Sequence, residues 1–246
     1  MERKISIFIQ IFFSFLLLIM VDSGEAYSLK VGEKLTYRVT LGGFHVGKGL
    51  LQIKQITQIK GEPVYHFISR TKSSEFISLF YPLDDKMESF ADIETLYPHQ
   101  LIIHYREGYL RKNKIVVDIN LKKGTALTEE KEGEKRKWKK EFSLPLFDTV
   151  SLIYWLRLQN LEVGEVFSLS LIEGSKVRKI KVKVIKEEEI SISNKRYPAL
   201  LCSEIDSNNK AKKTGIWFST TNEHIPLKLQ IKISLGTLTL YLINKD

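Results

Sequence analysis

Apolar and polar residues alternate over much of this chain. Early in the sequence, the apolar residues Leu35, Tyr37, Val39 and Leu41 are separated by single threonine or arginine residues. A period of two is typical of a β-strand that buries one face and exposes the other. This segment is therefore predicted to be a half-buried strand.

Turn signals divide most of the remaining chain into short β-rich runs. Gly42-Gly43 permits the backbone dihedrals of a tight hairpin, and Phe44–Ile56 is the predicted return strand. Within that strand, Gly47 and Gly49 predict a bulge or a close backbone contact. Further turn signals are Lys60–Pro63, Glu107-Gly108, Lys122–Gly124, Glu132-Gly133, Glu173-Gly174 and Ser207–Asn209. Hairpins at this spacing predict an antiparallel sheet, barrel or sandwich.

One segment has the pattern of a helix rather than of a strand. Asp148 is a suitable N-cap, and apolar residues follow it at roughly helical spacing as far as Leu161. Trp155 adds a second apolar face, which predicts burial on more than one side, and Gly164 ends the segment. The predicted fold class is mainly β, with a strongly curved antiparallel sheet or open barrel packed around one principal helix at about residues 148–161.

The first 26 residues have the order of an export signal. Arg3 and Lys4 precede the apolar run Ile5–Val21, and the small residues Gly24 and Ala26 follow. We expect cleavage after Ala26 and a periplasmic location. The alternative is an uncleaved inner-membrane anchor, although a spanning helix needs roughly 20 apolar residues and this run is shorter.

Residues 27–246 are expected to form one β-rich domain, or two packed halves with a seam near residues 145–164. The chain carries a net charge of +9, which suits anionic partners such as lipid head groups, glycans or nucleic acid. Much of the positive charge lies at alternating strand positions such as Lys179, Lys181 and Lys183. Because such positions are typical of solvated strand faces, we expect no nucleic-acid partner.

Cys202 is the only cysteine of the chain, so no internal disulfide can form. It shares a predicted strand face with Leu200 and Glu204. Free cysteines are usually buried, and no histidine lies nearby in the sequence to activate the thiol. Cys202 is therefore expected to be a small core residue rather than a nucleophile.

No strong catalytic or cofactor motif is present in the sequence. It lacks a phosphate-binding glycine loop, a Gly-x-Ser-x-Gly elbow and a His-Glu-x-x-His helix, and its five histidines are scattered. We therefore expect no metal and no cofactor. The densest polar cluster is Tyr81–Ser89, where Asp84, Asp85 and Glu88 could act as acid and base in a glycan-acting hydrolase. The same acids, together with Asp92, could instead surround a calcium ion. Over that metal site we favour a loop in which aspartates cap a turn after a proline.

Aromatic residues give the better clue to binding. Trp155 lies on the predicted helix, Trp217 lies near the end of a predicted element, and Tyr81 adjoins the acidic cluster. Most such residues belong to a core, but those that line a concave sheet suit acyl chains or the faces of sugar rings. The candidate ligand-binding residues are therefore Tyr81, Asp84, Asp85, Trp155 and Trp217.

An ordered set of segments resembles the bacterial family catalogued as domain of unknown function 3108. The segments are Gly32–Val39, Gly42–Gly47, Tyr81–Ser89, Glu107-Gly108, Trp217–Ser219 and Ile225–Leu227. The resemblance spans about residues 30–243. It implies an exported envelope protein, in agreement with the independent interpretation of residues 1–26. It carries over no catalytic residues, so it bears on fold and location rather than on mechanism.

Three functions remain open from the sequence. The leading hypothesis is an exported, non-enzymatic protein that binds a lipid-like or glycan-like envelope component. The alternatives are a structural assembly factor that recruits envelope partners through exposed strand edges and a glycan-acting envelope hydrolase that uses Asp84, Asp85 or Glu88. Membrane contact is expected only through residues 1–26, if they stay attached, and the oligomeric state stays open.

Overall fold

The structure is a computed structural model that describes residues 28–109, 111–130, 136–233 and 236–246. The predicted export signal, residues 1–26, lies outside these described residues.

The alternating sequence forms a single sheet of 15 strands in the described part of the chain. In chain order the strands are β1 (Lys34–Leu41), β2 (Phe44–Ile59), β3 (Glu62–Ser73), β4 (Asp84–Asp92), β5 (Pro98–Glu107), β6 (Arg111–Asn120), β7 (Thr125–Glu130), β8 (Lys137–Glu141), β9 (Leu146–Asp148), β10 (Val166–Glu173), β11 (Lys176–Ile192), β12 (Lys195–Ile205), β13 (Gly215–Ser219), β14 (Pro226–Ile233) and β15 (Gly236–Lys245). Their order across the sheet is β8-β7-β6-β5-β4-β3-β2-β1-β15-β14-β13-β12-β11-β10-β9. Neighbouring strands are antiparallel except for β9 and β10, which are parallel. The prediction of a mainly β, antiparallel fold is confirmed.

A short link joins the two edges of this sheet. The edge strand β8 ends at Glu141 and the opposite edge strand β9 begins at Leu146. In a flat sheet of 15 strands the edges would be roughly 65 Å apart, whereas this link spans at most about 18 Å. The sheet must therefore curve until its edges approach each other. The backbone N–H of Ser170, in β10, bonds to the carbonyl of Pro145 in the link at 2.8 Å.

Glycines permit the tightest parts of the first hairpin. Gly42 and Gly43 have φ values of 56° and 91° in the turn between β1 and β2. The predicted close contact at Gly47 is confirmed, because a Cβ atom there would lie 2.2 Å from the carbonyl oxygen of Lys72 in β3. The pairing of β1 with β2 also shifts register beside Gly47, as the predicted bulge requires.

The described residues contain two short helices, α1 (Glu75–Ser78) and α2 (Thr149–Arg157). A helix was expected over 148–161, and α2 occupies only the first part of that range. The backbone N–H groups of Leu158 and Gln159 each bond to a carbonyl three residues earlier, which tightens the last turn and ends the helix. Among the described residues, no helix has both the length and the apolar character needed to cross a membrane.

Asp148 caps α2 as predicted. Its Oδ1 accepts the backbone N–H groups of Val150 at 2.7 Å and Ser151 at 3.0 Å, and the hydroxyl of Ser89 in β4 donates to its Oδ2 at 2.6 Å. Burial raises the pKa of the Asp148 carboxyl, and these hydrogen bonds offset that effect only in part. The cap thus also attaches the start of α2 to β4.

Two apolar clusters fill the interior. In the larger one, Phe67 stacks on Tyr154 of α2 with 4.3 Å between ring centroids, and Trp155 packs against Phe147 and Phe167. The smaller cluster comprises Leu101, Val117, Ile119, Ala126, Leu146 and Ile172. It joins β5, β6 and β7 to β9 and β10, and so it closes the region in which the two edges approach each other.

A buried ion pair ties the end of α2 to the start of β1. Two guanidinium nitrogens of Arg157 donate to the two carboxylate oxygens of Glu33 at 2.5 and 2.9 Å. The side chains are only 0% and 3% exposed. The Nε–H of Arg157 also donates to the carbonyl of Glu223 at 3.2 Å. The pair therefore links α2, the N-terminal strand and the β13–β14 connection.

Candidate functional site

Three of the predicted binding residues lie where the chain leaves α1 and enters β4. Asp84 and Asp85 are the first two residues of β4, so the favoured loop with capping aspartates is wrong. Adjacent strand residues point to opposite faces, and the two carboxylates therefore diverge. Tyr81 precedes the strand and is 50% exposed.

The two aspartates have opposite electrostatic environments. The guanidinium of Arg70 donates two hydrogen bonds of 2.7 Å to Asp84 and thereby lowers the pKa of that carboxyl. Burial raises the pKa of Asp85, although its Oδ1 accepts the backbone N–H of Arg106 at 3.0 Å. Asp84 thus forms an ion pair with Arg70, and Asp85 binds a proton more readily than Asp84 does.

Glu88 belongs to a local hydrogen-bonded group on β3 and β4. Its carboxylate lies 2.8 Å from Nε2 of His66 and 2.7 Å from Nζ of Lys86. Burial raises the pKa of Glu88, but the bonds from Lys86 and His66 outweigh burial and leave that pKa below its ordinary value. A carboxylate held in this way is a poor general acid at neutral pH.

The two predicted tryptophans lie in packed surroundings. Trp155 contacts aromatic rings of the larger cluster. Trp217 is 8% exposed, its indole N–H donates to Glu188 at 2.9 Å, and the ammonium of Lys228 lies 4.0 Å from its ring centroid. The five predicted residues therefore do not gather into one pocket. The structure does, however, bring Asp84 and Trp217 to the two ends of one row of side chains.

This row crosses seven strands on one face of the sheet, and each member lies directly opposite the next. Its members are Asp84, Lys72, Lys48, Arg38, Tyr241, Lys228 and Trp217. Opposite residues share a face and have Cβ atoms about 5 Å apart. Tyr37, which adjoins Arg38, belongs to the larger apolar cluster, so Arg38 lies on the face of the sheet that points away from this cluster. Trp217, at the end of the row, belongs to the cluster itself.

Three cations stand side by side in the row, because Lys48 lies opposite both Arg38 and Lys72. Like charges directly opposite each other destabilise a sheet. Among the described residues, none of the three forms an ion pair with a carboxylate, and Nε of Arg38 is buried without a hydrogen-bond partner. Arg38 instead lies over the ring of Tyr241, 5.9 Å from its centroid. The arrangement costs stability and leaves donors ready for an anion.

Two adjoining clefts expose this part of the row. A cleft of about 430 Å³ is lined by Arg38, Thr40, Gly43, His45, Ser191, Thr239 and Tyr241. A second cleft, of about 620 Å³, is lined by His45, Lys48, Lys72, Ser73, Ser74, Glu75 and Phe76. They share His45, and together they form what we call the cationic groove. Besides the carboxylate of Glu75, its walls supply cations, hydroxyls and an imidazole, which are the groups that bind phosphate, sulfate or carboxylate.

Sequence reasoning missed the cationic groove. It singled out Lys179, Lys181 and Lys183 because they alternate along one strand, but the groove takes one cation from each of three strands. In the sequence, each of these cations is only a polar residue between apolar or small neighbours of its own strand, as Arg38 is within β1. Strand pairing and register decide which of these polar residues become neighbours across the sheet.

A third cleft, of about 460 Å³, lies beside the link between the sheet edges and includes Ser143, Lys181, Glu204 and Asp206 in its lining. Its acidic groups are already engaged. Glu204 accepts hydrogen bonds from Arg178 at 2.6 Å and from Lys212. Within the described chain, no group of three or more histidine, cysteine or acidic residues is arranged to hold a metal ion.

Cys202 is a core residue, as the sequence predicts. It is 2% exposed and belongs to the larger apolar cluster. Burial raises the pKa of its thiol to about 12. Because the thiolate is the reactive form, this cysteine is poorly suited to nucleophilic catalysis.

The architecture recurs in a solved structure, the crystal structure of a beta-barrel-like protein of domain of unknown function DUF1849 from Brucella abortus. The two are similar with a TM-score of 0.54 and 10% sequence identity over 88% of this chain and 97% of that chain. At this identity the similarity concerns the fold alone. No curated protein matches the sequence. The family model described as "Protein of unknown function (DUF3108)" matches residues 36–243, and the chain therefore belongs to this family, as the ordered segments predicted.

Proposed function

We propose that this protein is an exported, non-enzymatic envelope protein that binds the anionic head group of a lipid-like component in the cationic groove. The observation that carries the proposal is the row of Arg38, Lys48 and Lys72 beside two adjoining clefts. Cationic side chains whose Cβ atoms are about 5 Å apart produce a positive potential that an anionic group neutralises on binding. An acidic glycan shares this charge chemistry and is the alternative ligand.

The proposal also concerns location and the role of α2. We infer that residues 1–26 direct export to the periplasm and are then removed, with an uncleaved inner-membrane anchor as the alternative. We further infer that the curved sheet packs around α2. Seven of the nine residues of α2 are buried, and a filled interior leaves the outer face as the place for a ligand.

The two other candidate functions have weaker support. A hydrolase needs a carboxyl with a raised pKa in a cleft. Asp85 has the raised pKa but lines none of the three clefts, and both Asp84 and Glu88 have lowered pKa values. An assembly factor would need long, uncovered edges. The edge strands β8 and β9 are five and three residues long, and β8 carries three lysines that discourage strand addition.

The first experiment is native mass spectrometry of the protein purified from its own envelope fraction. A co-purifying anionic amphiphile is the expected result, and the intact mass also reports whether residues 1–26 are removed. The second experiment is calorimetric titration with dihexanoylphosphatidylglycerol, which is anionic, and with dihexanoylphosphatidylcholine, which is zwitterionic, both below micelle formation. We expect the anionic lipid to bind more tightly, and its affinity to fall as salt is added.

A matched pair of variants locates the binding. Arg38→Gln/Lys48→Gln removes two charges from the cationic groove and is expected to weaken binding of the anionic lipid by at least about tenfold. Lys139→Gln/Lys140→Gln removes two charges from exposed positions on β8 and should leave that affinity within about twofold. Equal affinity for the two lipids, or equal losses in the two variants, would overturn the proposal.

A further inference from the structure

One end of the sheet exposes large aromatic side chains. The exposed fractions are 80% for Phe44, 69% for Phe76, 71% for Phe80, 50% for Tyr81 and 68% for Tyr109. In the described part of the chain, every large aromatic residue that is exposed lies here. Leu79, between them, is also 69% exposed. We call the five aromatic residues the aromatic end.

The aromatic end is assembled from three separate connections. Phe44 follows the β1–β2 turn, and Tyr109 lies in the β5–β6 turn. The other three, Phe76, Phe80 and Tyr81, belong to the connection between β3 and β4 that contains α1. The hydroxyl of Tyr109 donates to the carbonyl of Leu79 at 2.8 Å, and the backbone N–H of Ser74 donates to the carbonyl of Val46 at 2.9 Å. These bonds hold the connections together while the rings stay in solvent.

Hydrogen bonds also fix the rest of this surface. The backbone N–H of Gly108 donates to the carbonyl of Pro82 at 2.7 Å, which joins the β5–β6 turn to the α1 connection. The rings of Phe76 and Phe80 lie edge to face with 5.5 Å between centroids. An apolar patch held open in this way indicates a binding surface rather than an incompletely formed core.

The charges around the aromatic end are mainly positive. Lys48, Lys72, Arg106 and Lys112 lie on the strands that lead to it and form no ion pair among the described residues. Of the acidic groups nearby, Asp84 and Glu107 are paired with arginines, Asp85 accepts the backbone N–H of Arg106, and Glu75 is the exposed one. Exposed aromatic rings beside cations match the surface of an anionic bilayer, whose boundary layer accepts rings and whose phosphates attract lysine and arginine.

We propose that the aromatic end docks on the surface of an anionic phospholipid bilayer. The rings enter the boundary between head groups and acyl chains, and the surrounding cations contact lipid phosphates. Phe76 lines the cationic groove, so docking places the groove at the lipid surface. This inference goes beyond the proposed function, because docking needs no ligand in the groove. The sequence-based expectation was different, since it limited membrane contact to residues 1–26.

Vesicle flotation tests the docking with the processed protein recovered from the soluble envelope fraction. The probes are vesicles of phosphatidylcholine alone and vesicles with equal parts of phosphatidylcholine and phosphatidylglycerol. We expect the wild-type protein to float with the anionic vesicles and to be released by added salt. Failure to bind the anionic vesicles would overturn the inference.

A second matched pair of variants separates docking from general stickiness. Phe44→Ser/Phe80→Ser removes two exposed rings that line neither cleft of the groove, and it should weaken partitioning onto anionic vesicles at least about tenfold. The control Ile56→Ser/Val163→Ser removes two apolar side chains that are 50% and 57% exposed elsewhere. It should change partitioning by less than about twofold, and an equal loss in the control would contradict docking through the aromatic end.

The groove variant distinguishes the failure of docking from the failure of the proposed function. Arg38→Gln/Lys48→Gln should lose affinity for the soluble anionic lipid and, because Lys48 is also one of the surrounding cations, part of its vesicle partitioning. Phe44→Ser/Phe80→Ser should lose vesicle partitioning and keep its affinity for the soluble lipid. Wild-type protein that binds the soluble lipid but not vesicles would refute docking alone. Vesicle partitioning that depends on the groove charges and not on the two rings would also refute it.

Discussion

Replacement of Arg157 by methionine tests how firmly α2 is held to the first strand. Both side chains of the Arg157–Glu33 pair are almost fully buried, at 0% and 3% exposure. Removal of one partner of a buried pair costs about 3–5 kcal/mol, because the other partner stays desolvated. Domains are typically stable by only about 5–15 kcal/mol. For a chain of this size the loss corresponds to a fall in Tm of about 10 °C.

The assay is urea denaturation followed by far-ultraviolet circular dichroism and tryptophan fluorescence, with a double-mutant cycle of Arg157→Met and Glu33→Leu. Because the double variant removes both charges, it should recover at least about half of the larger single loss. The control is Arg196→Met. Arg196 lies 3.6 Å from Glu189, and the two side chains are 77% and 63% exposed. An exposed pair of this kind is expected to contribute less than about 1 kcal/mol.

Two results would refute this reasoning. One is a loss of less than about 1 kcal/mol in Arg157→Met, which would mean that the buried pair is no stronger than a surface pair. The other is a double variant whose loss of stability relative to the wild type equals the sum of the two single losses. That outcome would show that the two side chains act independently.

Three further predictions follow from buried contacts. Gly47→Ala should lower the free energy of unfolding by about 1–3 kcal/mol, since its Cβ would lie 2.2 Å from the carbonyl oxygen of Lys72; unchanged urea denaturation would contradict this. Burial lowers the pKa of His66 below 6.5, although Glu88 partly restores it. The stabilisation from neutral His66 is therefore complete above about pH 6.5 and is lost as the pH falls, because the unfolded chain then binds more protons. Glu88→Gln should lower the pKa of His66 further in an NMR titration, and an unchanged value would count against the pairing. Cys202, whose thiol pKa is raised to about 12, should react with a thiol reagent only after denaturation, so rapid labelling of the native protein would contradict its burial.

Local chemistry was predictable wherever neighbouring residues decide the structure. The alternation in β1, the glycine turn that follows it and the Asp148 cap of α2 each depend on a few consecutive residues. The length of α2 was overestimated, because apolar spacing continues to Leu161 while the backbone hydrogen bonds tighten after Arg157. The proline in Tyr81–Ser89 suggested a loop, yet Asp84 and Asp85 join β4, because pairing with β3 satisfies their backbone groups.

The sequence by itself determined the class of fold, the family and the presence of many half-buried strands, because side-chain periodicity and turn residues act over short distances. Only the tertiary structure decided which strands are neighbours. Arg38 and Lys72 belong to one cationic row because β2 lies between β1 and β3 in a particular register. Phe44 and Tyr109 belong to one exposed end for the same reason. A shift of one residue in register would move every side chain of a strand to the other face, so a site built across strands exists only once the sheet has formed.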